Sequence, residues 1–319
     1  MLGPEDVGHR VVVRRIVGLR ANRPIFSDLL GELVALDGAG VTLRTERHGT
    51  LSVPFGEMAL AKRVPDRRPP TAIELLERAA EQGWPAPDRE PLGDWLLRAA
   101  EGWSNRANSA LAIGDPGREL PAAVEAVEAW YQARGLLPKI TVPAPGRGHV
   151  TAELGSRGWI AQPLVLVQTA PLTDIAQIVA QAGTGSPVEV RLDGVPGAAW
   201  LDGVAERRGL PAAARHILTA VRQVRFAGVY DRSGALLAAA RGAVADDGQW
   251  LGISLVQVQP EQRRRGLAQA VTAALARWAA TAGAQRAYVQ VEQHNTAAVA
   301  LWARLGLRTH HTYTTWRRD

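Results

Sequence analysis

Apolar and polar positions alternate differently in three stretches of the chain. Between Gly8 and Val64, the runs His9–Val17, Leu29–Leu36, Val41–Glu46 and Leu51–Phe55 are rich in Val and Leu, with Asp37-Gly38 and His48-Gly49 between them. Such runs predict short strands joined by tight turns. Antiparallel strands of this length most economically curl into a small barrel, expected over residues 1–66. The charged, proline-bearing run Pro65–Pro70 disfavours helix and reads as a linker. Thr71 with Glu74 three residues on then forms a capping box ahead of apolar Ile73, Leu75, Leu76 and Ala79, so a helix and a new unit begin there.

Residues 70–170 carry a different order. Trp95–Arg98 precedes a helical stretch near Leu120–Arg134, a strand near Lys139–Val142, a glycine turn at Leu154–Trp159 and an apolar strand at Leu164–Gln168. The last third repeats that order. A strand at Leu251–Val258 is followed by Leu267, Val271, Leu275 and Trp278 at helical spacing, a strand at Ala287–Val291 and a short helix after Asn295. Arg157-Gly158-Trp159 echoes Arg304-Leu305-Gly306-Leu307. Three units are therefore expected, at 1–66, 70–170 and 171–319.

Composition narrows the classes open to such a chain. With 319 residues, 46% hydrophobic and 21% charged, it is of ordinary globular composition. No apolar run approaches membrane-spanning length and no leader is visible, which makes the cytoplasm the expected location and a membrane partner unexpected. The absence of cysteine excludes disulfides, thiolate metal sites and a cysteine nucleophile; no metal is expected. A net charge of +6 and a pI near 10.4 invite a nucleic-acid reading. Against it, Lys62 and Lys139 are the only lysines and the arginines are scattered, with no basic run interleaved with aromatics. Nucleic acid is not the expected partner, and oligomeric state is left open.

One loop carries chemistry on physical grounds. Arg263-Arg264-Arg265-Gly266 stands between the strand ending at Val258 and the helix begun by Leu267-Ala268. The first N–H groups of a helix have no partner within it and share the positive end of its dipole, so a glycine-bearing basic turn there suits a pyrophosphate. Glycine permits close backbone approach. The loop matches neither the triphosphate nor the dinucleotide fingerprint.

Together with Asn295, Ala298, Leu301, Trp302, Gly306 and Leu307, the loop resembles the Gcn5-related N-acetyltransferase (GNAT) superfamily over roughly 187–319. The resemblance implies an α+β GNAT fold, a mixed and mostly antiparallel central sheet with flanking helices. It is expected in tandem, with a degenerate second copy in the middle region and a small SH3-like β-barrel before it. Acetyl-CoA is the implied cosubstrate. Arg263, Gly266 and Ala268 fall on the family's pyrophosphate motif, with Arg264, Arg265 and Leu267 inside it; Val256 and Val258 fall on the strand that pairs with the pantetheine arm. The middle copy lacks this motif, so no coenzyme is expected there.

For catalysis the resemblance implies a Val258 N–H donating to the thioester oxygen. It implies Asn295 on the coenzyme arm or a water, a role that competes with capping its own helix. Trp302 replaces the family's proton-donating tyrosine; an indole N–H is no practical acid, which leaves Tyr288 and Tyr313 as other hydroxyls. Glu292 shares a strand face with Gln290 and is the candidate base, or else an exposed strand-end charge; Asp246 and Asp247 read as a turn. Trp103, Asn105, Arg106 and Asn108, with Ser109, concentrate polar groups beside an aromatic and suit an acceptor wall, or else pin a turn around a core indole. The expected activity is direct acetyl transfer to a primary amine in a ternary complex, with a small amine, amino acid or peptide as acceptor. The alternative is a non-catalytic acyl-CoA sensor whose barrel docks a partner.

Overall fold

The computed structural model describes residues 2–319 except 21–22, 46–48, 65–68, 182–187 and 246–247, and the backbone alone at 207–208. Turns expected at His48, Asp246 and Asp247, and most of the Pro65–Pro70 linker, lie outside the described residues. The chain divides into two compact units, Met1–Pro69 and Pro70–Asp319.

The first unit is a five-stranded antiparallel sheet: β1 (Arg10–Arg20), β2 (Arg23–Leu36), β3 (Gly40–Thr45), β4 (Gly49–Pro54) and β5 (Met58–Arg63), in the order β4-β3-β2-β1-β5. β1 and β2 are longer than their apolar runs, and β5 has no counterpart among the expected strands. Ladder pairing carries β1 and β2 into Arg14, Arg15, Arg20 and Arg23, with Arg14 salt-bridged to Asp28 at 2.8 Å. Where a small SH3-like barrel was expected, the strands form one separate sheet with β4 and β5 at its ends. Val11, Val13, Leu33, Val41, Leu43 and Val53 form its core.

The second unit opens with α1 (Ala72–Gln82), capped as expected by Thr71 Oγ1 accepting from Glu74 N and by the reciprocal Glu74 contact to Thr71 N. Its first half continues with β6 (Asp88–Leu92), β7 (Trp95–Ala99), β8 (Ala110–Leu111), α2 (Leu120–Gln132), β9 (Lys139–Ala144), α3 (Gly148–Ser156), β10 (Ile160–Ala161) and β11 (Val165–Pro171). The second half comprises α4 (Leu172–Gln181), β12 (Arg191–Asp193), α5 (Ala198–Arg208), α6 (Ala212–Thr219), β13 (Gln223–Tyr230), β14 (Leu236–Val244), β15 (Trp250–Val258), α7 (Leu267–Thr281), β16 (Arg286–Glu292), α8 (Thr296–Arg304) and β17 (Arg308–Arg317).

The two halves repeat one plan. Each has one parallel pair with a crossover helix, β8–α2–β9 and β15–α7–β16, in a sheet otherwise antiparallel. Each then closes its short helix with a left-handed glycine, Gly158 at φ 76° and Gly306 at φ 84°. The six-to-one bonds of that motif are present in both, Trp159 N to Leu154 O and Leu307 N to Trp302 O, each 3.0 Å.

The halves are also interleaved. One sheet runs β12-β13-β14-β15-β16-β11-β17-β9-β8-β7-β6, with β10 on β17. β11, from the first half, lies between β16 and β17 of the second, and β17 then pairs with β9 of the first. The boundary expected at 170/171 therefore falls inside one continuous sheet. α4, α7 and α8 cover one face of the second half, around Leu251, Val271, Leu275 and Trp302. On another face α5 and α6 pack with Trp84 and Trp103, and α1 packs through Leu76 and Ala80 on Val167, Tyr288 and Tyr313.

Arg241 interrupts the run Leu236–Val244 and is 1% exposed. Its guanidinium donates to Leu218 O at 2.9 Å, Ile217 O at 3.1 Å and Gly83 O at 2.9 Å, closing the end of α6 and the turn after α1 with one side chain. Burial lowers its pKa to about 9, still well above neutral pH. Arg241→Ala would leave three carbonyls without this donor. We expect a loss of about 3–5 kcal/mol, checked by denaturant unfolding of the full chain, while Arg318→Ala at the exposed terminus changes stability by less than about 0.5 kcal/mol.

Candidate active site

β15 and β16 run side by side only at Trp250–Arg286, Leu251–Ala287 and Gly252–Tyr288. Beyond Gly252 the pairing ends, leaving the strand edges unpaired toward each other. Gly252 makes room for this: a Cβ there would lie 2.3 Å from the Tyr288 hydroxyl. β15 also carries a bulge, with Leu255 at φ 53° and a register slip against β14 between Ala239 and Arg241. Bulges re-aim a strand edge locally. Gln259 N donates to Leu237 O at 2.9 Å, so alternation puts the Val258 N–H on the opposite, open edge and Val256 on that same edge. Both side chains pack against the α7 core.

At the end of β15 a single 3-10 turn, Pro260–Gln262, leads into the arginine loop. Arg264 is left-handed at φ 64°, and Gly266 at φ 78° is the N-cap of α7 with no side chain capping it. The first N–H taken up inside α7 is that of Ala270, on Gly266 O at 3.0 Å. Those of Leu267, Ala268 and Gln269 therefore point out of the helix start. Arg263, Arg264 and Arg265 are exposed around them, Arg265 bonded to Gln262, while Leu267 is buried and anchors the loop. This is a basic, donor-rich turn, the arrangement to which anions bind at helix starts in general.

The corresponding loop of the first half is filled by the protein. Glu74 Oε1 accepts from Gly114 N at 3.0 Å and from Arg147 at 2.5 Å, Asp94 accepts from Asp115 N at 2.9 Å, and Asp115 from Gly117 N at 2.8 Å. Three of its backbone donors, those of Gly114, Asp115 and Gly117, are taken by the chain's own carboxylates.

On the α1 side of the opening lies a polar layer between the two halves. Glu77 pairs with buried His311 at 2.7 Å, and Arg106 donates to Gln290 Oε1 at 2.5 Å while lying 4.7 Å from the Trp84 ring centroid. Tyr288 and Tyr313 are 3% and 5% exposed. Burial pushes the Tyr288 hydroxyl up to about 12, against the opposing pull of Arg106 and Arg241, and raises Tyr313 as well. Both remain neutral hydroxyls at physiological pH. Ser254, two residues past the last β15–β16 pair, has its Oγ buried without a partner among the described residues.

The residues expected to wall an acceptor separate into two roles. Asn108 is consumed by structure: its Oδ1 accepts from Ala100 N and Gly102 N at 2.8 and 2.9 Å, and its Nδ2 donates to Trp103 O and Ser104 O at 2.9 and 2.8 Å. It holds a loop in which Glu101, Gly102 and Ser104 all have positive φ. Trp103 is buried and stacks on Trp84 at 5.5 Å, so it is core. Asn105 is exposed and accepts from Lys139 at 2.9 Å. Of the four, Arg106 reaches Gln290 at the opening. Trp302 lies in the core of the α4–α7 face, 5% exposed. Asn295 caps α8, accepting from Ala298 N at 3.2 Å. Glu292 ends β16, half-exposed, in a 3.1 Å pair with His294.

Trp84 and Arg241 were not anticipated as part of this layer. A single arginine inside Leu-Leu-Ala-Ala-Ala-Arg-Gly-Ala-Val was the available signal for Arg241; the turn carrying Trp84 offered none.

The family profile described as "Probable histone acetyltransferase Rv0428c C-terminal" matches residues 71–316, well upstream of residue 187, where the recognisable motifs thin. The chain is 33% identical over 321 residues to the "Probable histone acetyltransferase Rv0428c" of Mycobacterium tuberculosis (strain ATCC 25618 / H37Rv), covering 98% of this chain and 95% of that one. A GCN5-related N-acetyltransferase from Kribbella flavida matches with TM-score 0.59 at 17% identity, over 78% of this chain and 96% of that one. A tandem GNAT protein from the clavulanic acid biosynthesis pathway matches with TM-score 0.52 at 16% identity, over 78% and 88%. The chain belongs to the Rv0428c C-terminal family of acetyltransferases, and its fold is the GNAT fold.

Asn108→Ala removes four bonds to loop backbone and should destabilise the second unit by about 3 kcal/mol, with Asn105→Ala within about 0.5 kcal/mol of the parent. Thermal unfolding followed by tryptophan fluorescence compares them; equal effects would refute the division of roles.

Proposed function

We propose that the second half of Pro70–Asp319 moves an acetyl group from acetyl-CoA to a primary amine by direct transfer in a ternary complex. One observation carries this reading: the β15–β16 opening has the uncapped start of α7 at one end and the polar layer at the other. The N–H groups of Leu267 and Ala268 and the guanidinium groups of Arg263, Arg264 and Arg265 hold the pyrophosphate. Val256 and Val258 pair their open backbone edge with the coenzyme arm, and the Val258 N–H donates to the thioester oxygen as charge develops on it. Asn295 flanks the arm from the start of α8. When bound, the coenzyme supplies the activated acetyl group and a good leaving group.

The acceptor enters from the Arg106–Gln290 side, so the first half shapes a pocket whose coenzyme end belongs to the second. A nucleophilic amine must be neutral. Glu292, on the Gln290 face at the mouth and steadied by His294, accepts the ammonium proton through water. Trp302 is core in the structure and plays no part, so we assign reprotonation of the thiolate to solvent. Small amines, amino acids and peptides are the acceptor classes; the histone in the relative's name adds protein lysine side chains to them. For the first unit we propose a packing or partner-docking role, and for the whole protein an intracellular, cytoplasmic setting. No helix among the described residues is long and apolar enough to cross a membrane.

Thiol release from acetyl-CoA over an amine panel tests the activity. Gly266→Glu puts a carboxylate where the pyrophosphate docks; it should weaken coenzyme binding about 100-fold or more, roughly 3 kcal/mol, and unchanged binding would displace the site. Glu292→Gln should lower kcat/KM at pH 7 by about 100-fold. Raising the pH then recovers part of the loss, because the amine deprotonates unaided; a uniform loss across pH would remove Glu292 from the base role.

A further inference from the structure

The polar layer contains several buried charges, and all but one are answered by the protein. On α1, Glu74 pairs with Arg147 at 2.5 Å, Glu77 with His311 at 2.7 Å and Glu81 with Arg89 at 3.1 Å. Arg98 donates to Ser109 O at 2.9 Å and Ser109 Oγ at 3.2 Å, and Arg241 has its three carbonyls. Arg106 differs. A guanidinium has five N–H donors, and among the described residues the one acceptor for Arg106 is the neutral Gln290 amide at 2.5 Å. No carboxylate of the described chain pairs with it.

The side chain is nevertheless held in place. One face lies on Trp84, whose Nε1 donates to Ser104 Oγ at 3.1 Å, and one edge is fixed by Gln290. The loop that delivers it is pinned by Asn108 through four hydrogen bonds. A half-buried cation on a rigid support, with a free edge and no counter-charge, is an incomplete pair. Planar, two-donor geometry matches a carboxylate in bidentate fashion.

We propose that the acceptor is an amino-carboxylate, an amine carrying a carboxylate a few bonds away, and that Arg106 receives that carboxylate. This rests on the β15–β16 opening being the acceptor site. The surrounding charge selects a zwitterion. Glu77, Glu81 and Glu292 bear on the hydroxyls of Tyr288 or Tyr313 alongside Arg106, Arg241 and Arg98, so the layer carries both signs of charge, as an acceptor with one cationic and one anionic end requires. Glu292 also gives the amine end of the acceptor a negative neighbour. Arg106 is then a specificity-determining residue for the acetyl transfer proposed above.

The test uses the full chain, acetyl-CoA and matched amine pairs: lysine against cadaverine, leucine against isoamylamine, and lysine against Nα-acetyl-lysine amide. kcat/KM from thiol release should favour the carboxylate-bearing member of each pair by about 10- to 100-fold. Arg106→Gln should collapse that ratio at least tenfold, and Arg106→Lys should restore part of it. No preference in the parent protein, or a ratio unchanged in Arg106→Gln, overturns the proposal. If no amine is acetylated at all, the transfer reading fails separately. Thermal stabilisation by leucine but not by isoamylamine, lost in Arg106→Gln, would then still support the carboxylate site, and its absence would overturn it. Should Arg106→Gln not fold, the pair preference of the parent and the Arg106→Lys ratio decide.

Discussion

The structure of Pro70–Asp319 depends on the interleaving of β16, β11, β17 and β9. A strand from the first half fills a place in the second, and the last strand of the chain bridges back to the first. Each ladder hydrogen bond contributes little net free energy, yet an unpaired buried strand edge is costly. Neither half can therefore complete its sheet alone. The Rv0428c-type profile spans both halves as one unit, in keeping with this mutual completion.

Interleaving also places the candidate site. Because β11 sits beside β16, Gln290, Val167 and His311 line up across three strands in one row. α1 lies over this region through Leu76 and Ala80 and supplies Glu77 to His311. The loop carrying Arg106 reaches Gln290 across 184 residues of sequence. The two halves differ at these loops: the second has a basic turn before α7, while in the first Glu74 and Asp94 accept from Gly114 N and Asp115 N.

Much of this was legible where the chemistry is local. The Thr71–Glu74 capping box, the glycine at the start of α7 and the glycines closing α3 and α8 depend on residues within one turn, and each stands where the sequence placed it. The polar string 103–109 was legible as a cluster but not in its roles. Asn108 and Arg106 are both polar neighbours of an indole. What separates them is that Asn108 faces four backbone groups of its own loop while Arg106 faces another strand. Trp302 occupies the position of a tyrosine in the family motif, and the packing of α8 puts its ring in the core.

By itself the sequence determined the α1 capping box, the strand–helix–strand order that recurs in both halves and the glycine-bearing basic turn before α7, because helix starts, caps and apolar periods are set by neighbours along the chain. Tertiary structure decided which half owns β11, where β15 and β16 separate, and that Arg106 meets the Gln290 amide. These follow from pairing between residues far apart in sequence, and no local pattern encodes them.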